Sequence, residues 1–218
     1  MATSANMLIK DNKKNTESKE TTDKTALTEI VMDYYEKTHK KQGLSFKPGP
    51  LHRLDKMTSG LVCFSMSLDG AKWFSSQMRE HKIKKSYRAT VEGFVEQIQN
   101  WTDYIIKKNS SENEKAFHTV KIISGDEKLL PEDAKKCITT IIPVNSFSVE
   151  KFSYTKVFFE IQTGRQHQIR AQSAFHGHPL AGDNIYGAKS NSTLFDLCAY
   201  KLEFPENLLN IPHKIELK

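Results

Sequence analysis

Cysteine is scarce: 218 residues contain three, Cys63, Cys137 and Cys198, widely spaced and with no Cys-x-x-Cys among them. An odd, scattered set excludes a disulfide framework and is expected of reduced, partly buried thiols in a cytosolic protein. Long apolar runs are missing as well, so no segment approaches membrane-spanning length. Met1 to Asn6 is neither basic nor followed by an apolar core, and no signal peptide is expected. There is no internal repeat. A soluble, cytoplasmic protein with no membrane partner is the expectation.

What is present is an ordinary content of aliphatic and aromatic residues, enough for one large domain or one domain plus a tail. The formal net charge is +6, which favours a polyanionic partner. Residues 10 to 24 are Lys, Asn, Thr, Ser, Glu and Asp with nothing to bury. The chain is therefore read as a weakly ordered or disordered tail over 1–24 and a folded domain over 25–218. Leu27, Ile30, Val31 and Tyr34 fall on one face of a helix, with Thr25 a plausible cap and the basic residues Lys37 to Lys41 near its end. Leu61 to Met66 is apolar enough for a buried strand. Asp69 can then cap a helix that turns Ala71, Phe74 and Met78 inward. Tyr87, Ala89 and Val91 alternate with Arg88, Thr90 and Glu92 in a half-exposed strand ending at Gly93. Lys107 to Lys115 is a polar loop, and Asp126 to Lys136 is a connection or a short helix. Further strands are expected near 116–123, 137–144 and 155–161, and a last one over Phe195–Phe204. Thr163-x-x-Gln166 has the spacing of a capping box, which predicts a helix from about Gln166 to His176, closed by Gly177. Strands outnumber helices and do not alternate with them, so the fold class is α+β with a mixed, mostly antiparallel sheet flanked by helices.

Chemistry is most concentrated at His52-Arg53-Leu54-Asp55, in a loop bounded by Pro48-Gly49-Pro50 and Ser59-Gly60. A His-Arg-Asp loop in a kinase would lack Leu54, and neither Asp-Phe-Gly nor a Gly-rich phosphate loop occurs here, so a kinase is excluded. Asp55 on a loop beside a buried strand suits a catalytic carboxylate, but this window alone favours a turn that bonds its own backbone. Arg170 falls early in the helix introduced by Gly164. If the two meet, the guanidinium would hold the carboxylate through paired N–H donors. An ordinary structural ion pair is the competing reading for Arg170. His167 shares a face with Arg170 and invites a general-base role. His176-Gly177-His178 lacks a third ligand at helpful spacing and reads as a helix end rather than a metal site.

Three blocks in order carry a resemblance. His52-Arg53-Leu54-Asp55-Lys56-x-Thr58-Ser59-Gly60, Lys85-Ser86-Tyr87-Arg88-Ala89, and Thr163-Gly164-Arg165-Gln166-His167-Gln168-Ile169-Arg170 with Gly177-His178-Pro179-Leu180-Ala181-Gly182-Asp183-x-x-Tyr186-Gly187 resemble the RluA-type RNA pseudouridine synthases over residues 26 to 205. The resemblance implies the pseudouridine synthase catalytic fold and the isomerisation of uridine in structured RNA, ribosomal or transfer. It implies neither cofactor nor metal, because substrate and product are isomers. By that resemblance Asp55 is the catalytic aspartate, Tyr87 lies against the target base, and Arg170 pairs with the aspartate. Arg53 helps displace the flipped uridine, with His52, Arg165 and His167 on the substrate-binding side. In the family the His167 position is structural, and that reading is preferred. Asp183 and Tyr186 are read as stabilising their loop. A monomer is expected.

The chain departs from the family where an upstream strand and turn containing Asn-Lys-Pro-x-Gly should stand; Met7 to Asn12 is at most a shortened relic. Leu197-Cys198-Ala199 has Cys where many relatives have His, and a separate S4 RNA-binding domain is absent. The alternative function is an RNA-binding protein that keeps the fold with weak or no catalysis. A pure binder has no use for the Asp55 carboxylate, which repels phosphate.

Overall fold

The computed structural model of the protein describes residues 7–10, 26–38, 46–107, 119–124 and 130–218. In chain order its elements are β1 (Met7–Lys10), α1 (Leu27–Thr38), β2 (Gly49–Pro50), β3 (Ser59–Gly60), β4 (Val62–Ser65), α2 (Leu68–Arg79), β5 (Lys84–Glu92), β6 (Gln99–Lys107), β7 (Val120–Ile123), β8 (Lys135–Val149), β9 (Phe152–Ile161), α3 (Gln168–Phe175), β10 (Cys198–Glu203) and β11 (Lys214–Glu216). Helices and strands without regular alternation make the protein α+β, as the pattern predicts. No helix among the described residues is long and apolar enough to cross a membrane. Two compact units divide the chain: one gathers the described residues up to Leu54 with Ser59–Ile83 and Tyr200–Lys218, the other Asp55–Thr58 with Lys84–Ala199.

In the first unit β4 is buried throughout, because Leu61 to Met66 is apolar on both faces. It is flanked on its two edges by β1 and β2, both antiparallel, with Met7 opposite Ser65 and Pro50 opposite Phe64. A strand therefore occupies part of 1–24; the rest of that stretch, Thr25, and the basic residues beyond Thr38 lie outside the described residues. The α1 stripe is narrower than the spacing suggests. Val31 is fully buried, with Leu27 and Tyr35 beside it against Val62, Phe64 and Met66. Ile30 and Tyr34 are exposed, since a single i, i+4, i+8 row suffices for one contact. Helix α2 is capped by Ser67 rather than Asp69. The Ser67 backbone is extended and its hydroxyl accepts the Gly70 N–H, leaving Asp69 in the first turn, where an acid suits the helix dipole. Phe74 and Met78 pack with Leu61, Cys63, Leu202 and Phe204, and each fully buried ring or aliphatic chain contributes roughly 1.5–3 kcal/mol. At the C-terminal end β10 and β11 pair antiparallel, Leu202 opposite Ile215.

In the second unit the strand order is β5-β9-β8-β6-β7, every neighbour antiparallel. Tyr87 stands opposite Phe159 and Lys85 opposite Ile161. Glu150, at a positive φ, makes the turn between β8 and β9. Strand β6 has no counterpart in the sequence reading: Trp101, Asp103 and Ile105 all point inward and are buried, and the aspartate in that series hides the apolar alternation. Asp103 is satisfied from α3, accepting from Gln172 Nε2 at 2.7 Å and pairing with His176 Nε2 at 2.9 Å. The core joins Ala89, Val91, Ile141, Val157 and Phe159 to Ile169 of α3. The last strand starts at Cys198, not Phe195. The Asp196 carboxylate before it is held by the Thr90 N–H and hydroxyl at 2.8 and 2.9 Å, which keeps Phe195–Leu197 as a loop. All three cysteines are buried thiols.

Candidate active site

The loop from Thr163 into α3 is fixed by one amide side chain. Gln168 Oε1 accepts from the Thr163 hydroxyl at 2.8 Å and the Arg165 N–H at 3.0 Å. Its Nε2 donates to the Ile138 carbonyl and the Thr139 hydroxyl. The expected Thr163–Gln166 box does not form. Thr163 accepts the Ile138 N–H from β8 instead, and the helix begins at Gln168 after His167, a left-handed residue at φ 52° and ψ 21°. A non-glycine residue there costs about 1–2 kcal/mol, and the network around Gln168 holds it in place. The far end closes as expected, at Gly177 with φ +83°.

Arg170, 3 % exposed, does not clamp Asp55. Its fork closes on Asp183, Nε to Oδ2 at 2.7 Å and Nη2 to Oδ1 at 2.8 Å. The guanidinium also lies over the Tyr186 ring at 4.9 Å and near the Phe195 ring at 5.7 Å. Burial works against its charge, but the Asp183 hydrogen bonds and carboxylate outweigh that and hold Arg170 above the ordinary arginine range. The paired N–H donors expected for Asp55 are therefore occupied by the nearer carboxylate, itself 2 % exposed. Arg170 acts on Asp55 only through its field.

Asp55 keeps a quarter of its side chain exposed, with His167 Nε2 at 3.9 Å from Oδ1. Its carbonyl accepts the Thr58 N–H at 2.9 Å, which shapes the loop. His167 Nδ1 meets the Tyr186 hydroxyl at 2.8 Å, and that hydroxyl oxygen accepts the Val120 N–H. The assignment that satisfies every group has Tyr186 donating to Nδ1, which puts the imidazole N–H on Nε2, toward Asp55. Burial lowers the His167 pKa and Arg170 lowers it further, with Asp55 and Asp183 opposing. The ring is thus a neutral, oriented donor at neutral pH.

Tyr87 is half-buried on β5 and packs against the sheet core. Burial, and then the Asp55 charge, push its hydroxyl well above the ordinary tyrosine range. It remains protonated, an apolar face with an acid at its tip. Asp55, Tyr87, His167, Arg170 and Tyr186 are coupled by charge. Of the other predicted residues, Arg165 is exposed and ties its Nε to the Lys136 carbonyl at 3.1 Å. His52 belongs to the first unit's core, where Nε2 accepts the Cys63 N–H and the ring stacks on Phe74. Arg53 is exposed, two residues before Asp55 in the chain. No cluster of three or more metal-ligating side chains occurs among the described residues. Asp183 and Tyr186 are the residues that sequence reading left out of the site. A buried arginine demands an acid, and Asp183 is the carboxylate within Arg170's own sequence block.

The mostly antiparallel α+β scaffold that carries these side chains has known counterparts. Residues 10–175 match the family model described as RNA pseudouridylate synthase, and the chain belongs to that family. It is 31% identical over 153 residues to tRNA pseudouridine synthase C of Vibrio parahaemolyticus, covering 67% of this chain and 58% of that protein. RNA pseudouridylate synthase domain-containing protein 1 of Danio rerio is 28% identical over 156 residues, 71% of this chain and 52% of that protein. The chain spans about half the length of the curated relatives it matches. The solved structure of human RNA pseudouridylate synthase domain containing 4 shares the fold, with a TM-score of 0.66 at 17% identity over 93% of this chain and 82% of that one.

Proposed function

We propose that the protein is an RNA pseudouridine synthase that isomerises uridines in structured RNA, transfer or ribosomal, with Asp55 as its nucleophile and no cofactor. The N1–C1′ bond breaks, the C5–C1′ bond forms, and the proton lost from C5 is matched by one gained at N1. Asp55 opens this sequence by attack at C1′ or by addition to the uracil ring. Residues 25–218 supply the catalytic domain. A monomer is the proposed working unit, and the three buried thiols suit the cytoplasm.

The observation that carries this reading is a partly exposed carboxylate without a cationic clamp, whose charge is felt by a protonated tyrosine and a neutral histidine. Asp183 is buried with each oxygen bonded to Arg170, whereas Asp55 keeps part of its carboxylate exposed. Extruding a uridine from its helix costs a few kcal/mol of stacking, and stacking on Tyr87 returns about 1–3 kcal/mol. Arg53 is suited to fill the vacated stack.

The test is to incubate the purified full chain with transfer and ribosomal RNA and map pseudouridine. Asp55→Asn should lower turnover by about a thousandfold, some 4 kcal/mol of barrier, while RNA affinity stays within about twofold. Near-normal turnover in that variant would refute the nucleophile. Wild-type binding without any pseudouridine would leave the alternative, an RNA-binding member of the family.

A further inference from the structure

Lys85 has no part in the chemistry above, yet it is an unusual lysine. It is 8 % exposed, and among the described residues its ammonium has no hydrogen bond and no carboxylate partner. The charge nearest to it in effect is of its own sign, that of Arg165. Its Nζ lies against the Gly164 backbone, 3.0 Å from where a Cβ on that residue would stand. Arg165 spends Nε on the Lys136 carbonyl, and its terminal nitrogens have no acceptor among the described residues. Two like charges therefore act at Gly164, and no carboxylate among the described residues pairs with either. Holding a lysine stem in a core needs no such arrangement, since the stem can pack while the head snorkels to water. An uncompensated buried ammonium is costly, and an arriving anion removes that cost.

Resting on the function proposed above, we propose that Lys85, Arg165 and the Gly164 backbone form a subsite for one backbone phosphate of the RNA, next to the nucleotide whose base lies on Tyr87. Phosphate is the anion whose chemistry fits, because a point-like ammonium and a planar guanidinium fork grip its oxygens from two sides. Lys85 and Tyr87 are two apart on β5, so they project from the same face about 7 Å apart along the strand. That spacing links the base platform and the phosphate grip within one nucleotide step. A Cβ on Gly164 would stand 3.0 Å from the Lys85 ammonium, so the ammonium would have to give way by a few tenths of an ångström.

The experiment compares the full-length wild type with Lys85→Met, Gly164→Ala and Arg165→Gln. Inorganic phosphate, against chloride at equal ionic strength, should raise the wild-type melting temperature and leave that of Lys85→Met unmoved. Without phosphate, Lys85→Met should melt at or above wild type, because an unpaired buried charge has gone; a structural lysine predicts the reverse. With a transfer RNA transcript, Lys85→Met should weaken binding several-fold and flatten the plot of log Kobs against log[salt] by about 0.7–0.9, the share of one phosphate contact. Gly164→Ala keeps both charges and should weaken binding in the same direction. If Lys85→Met fails to fold, Gly164→Ala and the surface change Arg165→Gln carry the same readouts. An unchanged phosphate response and salt slope in the variants overturns the subsite even where the wild type forms pseudouridine. Phosphate stabilisation and an altered slope in a protein that forms none would uphold the subsite and remove the function on which its substrate was argued.

Discussion

Asp55 and Asp183 lie within the influence of the same arginine, but only one of them is held by it. Asp183 is buried and doubly bonded to Arg170; Asp55 is partly exposed and bonded by its backbone. Asp183→Asn leaves a buried guanidinium half-compensated and should cost about 3–5 kcal/mol, read from urea unfolding midpoints. Arg170→Lys keeps the charge and loses the fork, with an expected cost of about 1–3 kcal/mol. The pair Arg170→Met with Asp183→Leu should be less damaging to stability than Asp183→Asn alone. His167 gives a pH signature. Its pKa is ordinarily 6.5 and is lowered in the folded chain, chiefly by burial. The unfolded chain then binds the proton more readily. Stability from this residue is fully present above pH 6.5 and is lost as the pH falls through the folded value. His167→Asn, which tolerates the left-handed backbone, should flatten that acid slope in melting curves. For Tyr87, whose hydroxyl stays protonated past its usual range, Tyr87→Phe should hold RNA affinity and slow turnover by about 10²–10⁴-fold if the hydroxyl moves a proton; full turnover would confine the residue to stacking.

At the level of elements, α3 shows where local pattern misleads. The Thr163-x-x-Gln166 spacing is that of a capping box, yet the glutamine that reaches back is Gln168, and Thr163 serves the neighbouring strand. Nothing local distinguishes two glutamines that are two residues apart; β8 decides, by offering its Ile138 N–H and carbonyl. Thr163→Val should therefore cost about 1–3 kcal/mol by stranding the Ile138 N–H, measurable by thermal unfolding and by faster exchange of the Ile138 amide. Strands with clean periodicity, such as Tyr87 to Glu92 and the run from Leu61, were legible. β6 was not, because its inward Asp103 draws its partners from Gln172 and His176, about seventy residues away. Ser67 displaced Asp69 as a cap for a similar reason: both are good caps, and backbone geometry alone chooses between them.

For the molecule as a whole, a net charge of +6 should make RNA binding fall steeply as salt rises, since each phosphate contact releases counterions. A filter-binding series over a range of potassium chloride checks this, and a flat response would speak against an RNA partner. The fold class was readable because motif and period both survive in one dimension. The partner of Arg170 was not, since spacing brings two acids within reach and packing selects one. The division of the chain has a further consequence. Asp55–Thr58 belongs to the second unit but is flanked in the chain on both sides by the first. A gene fragment encoding 84–199 would carry Tyr87, His167 and Arg170 without Asp55, the proposed nucleophile, and no single crossover could restore it. Recombination that keeps the second unit whole must carry the first unit's intervening segment with it.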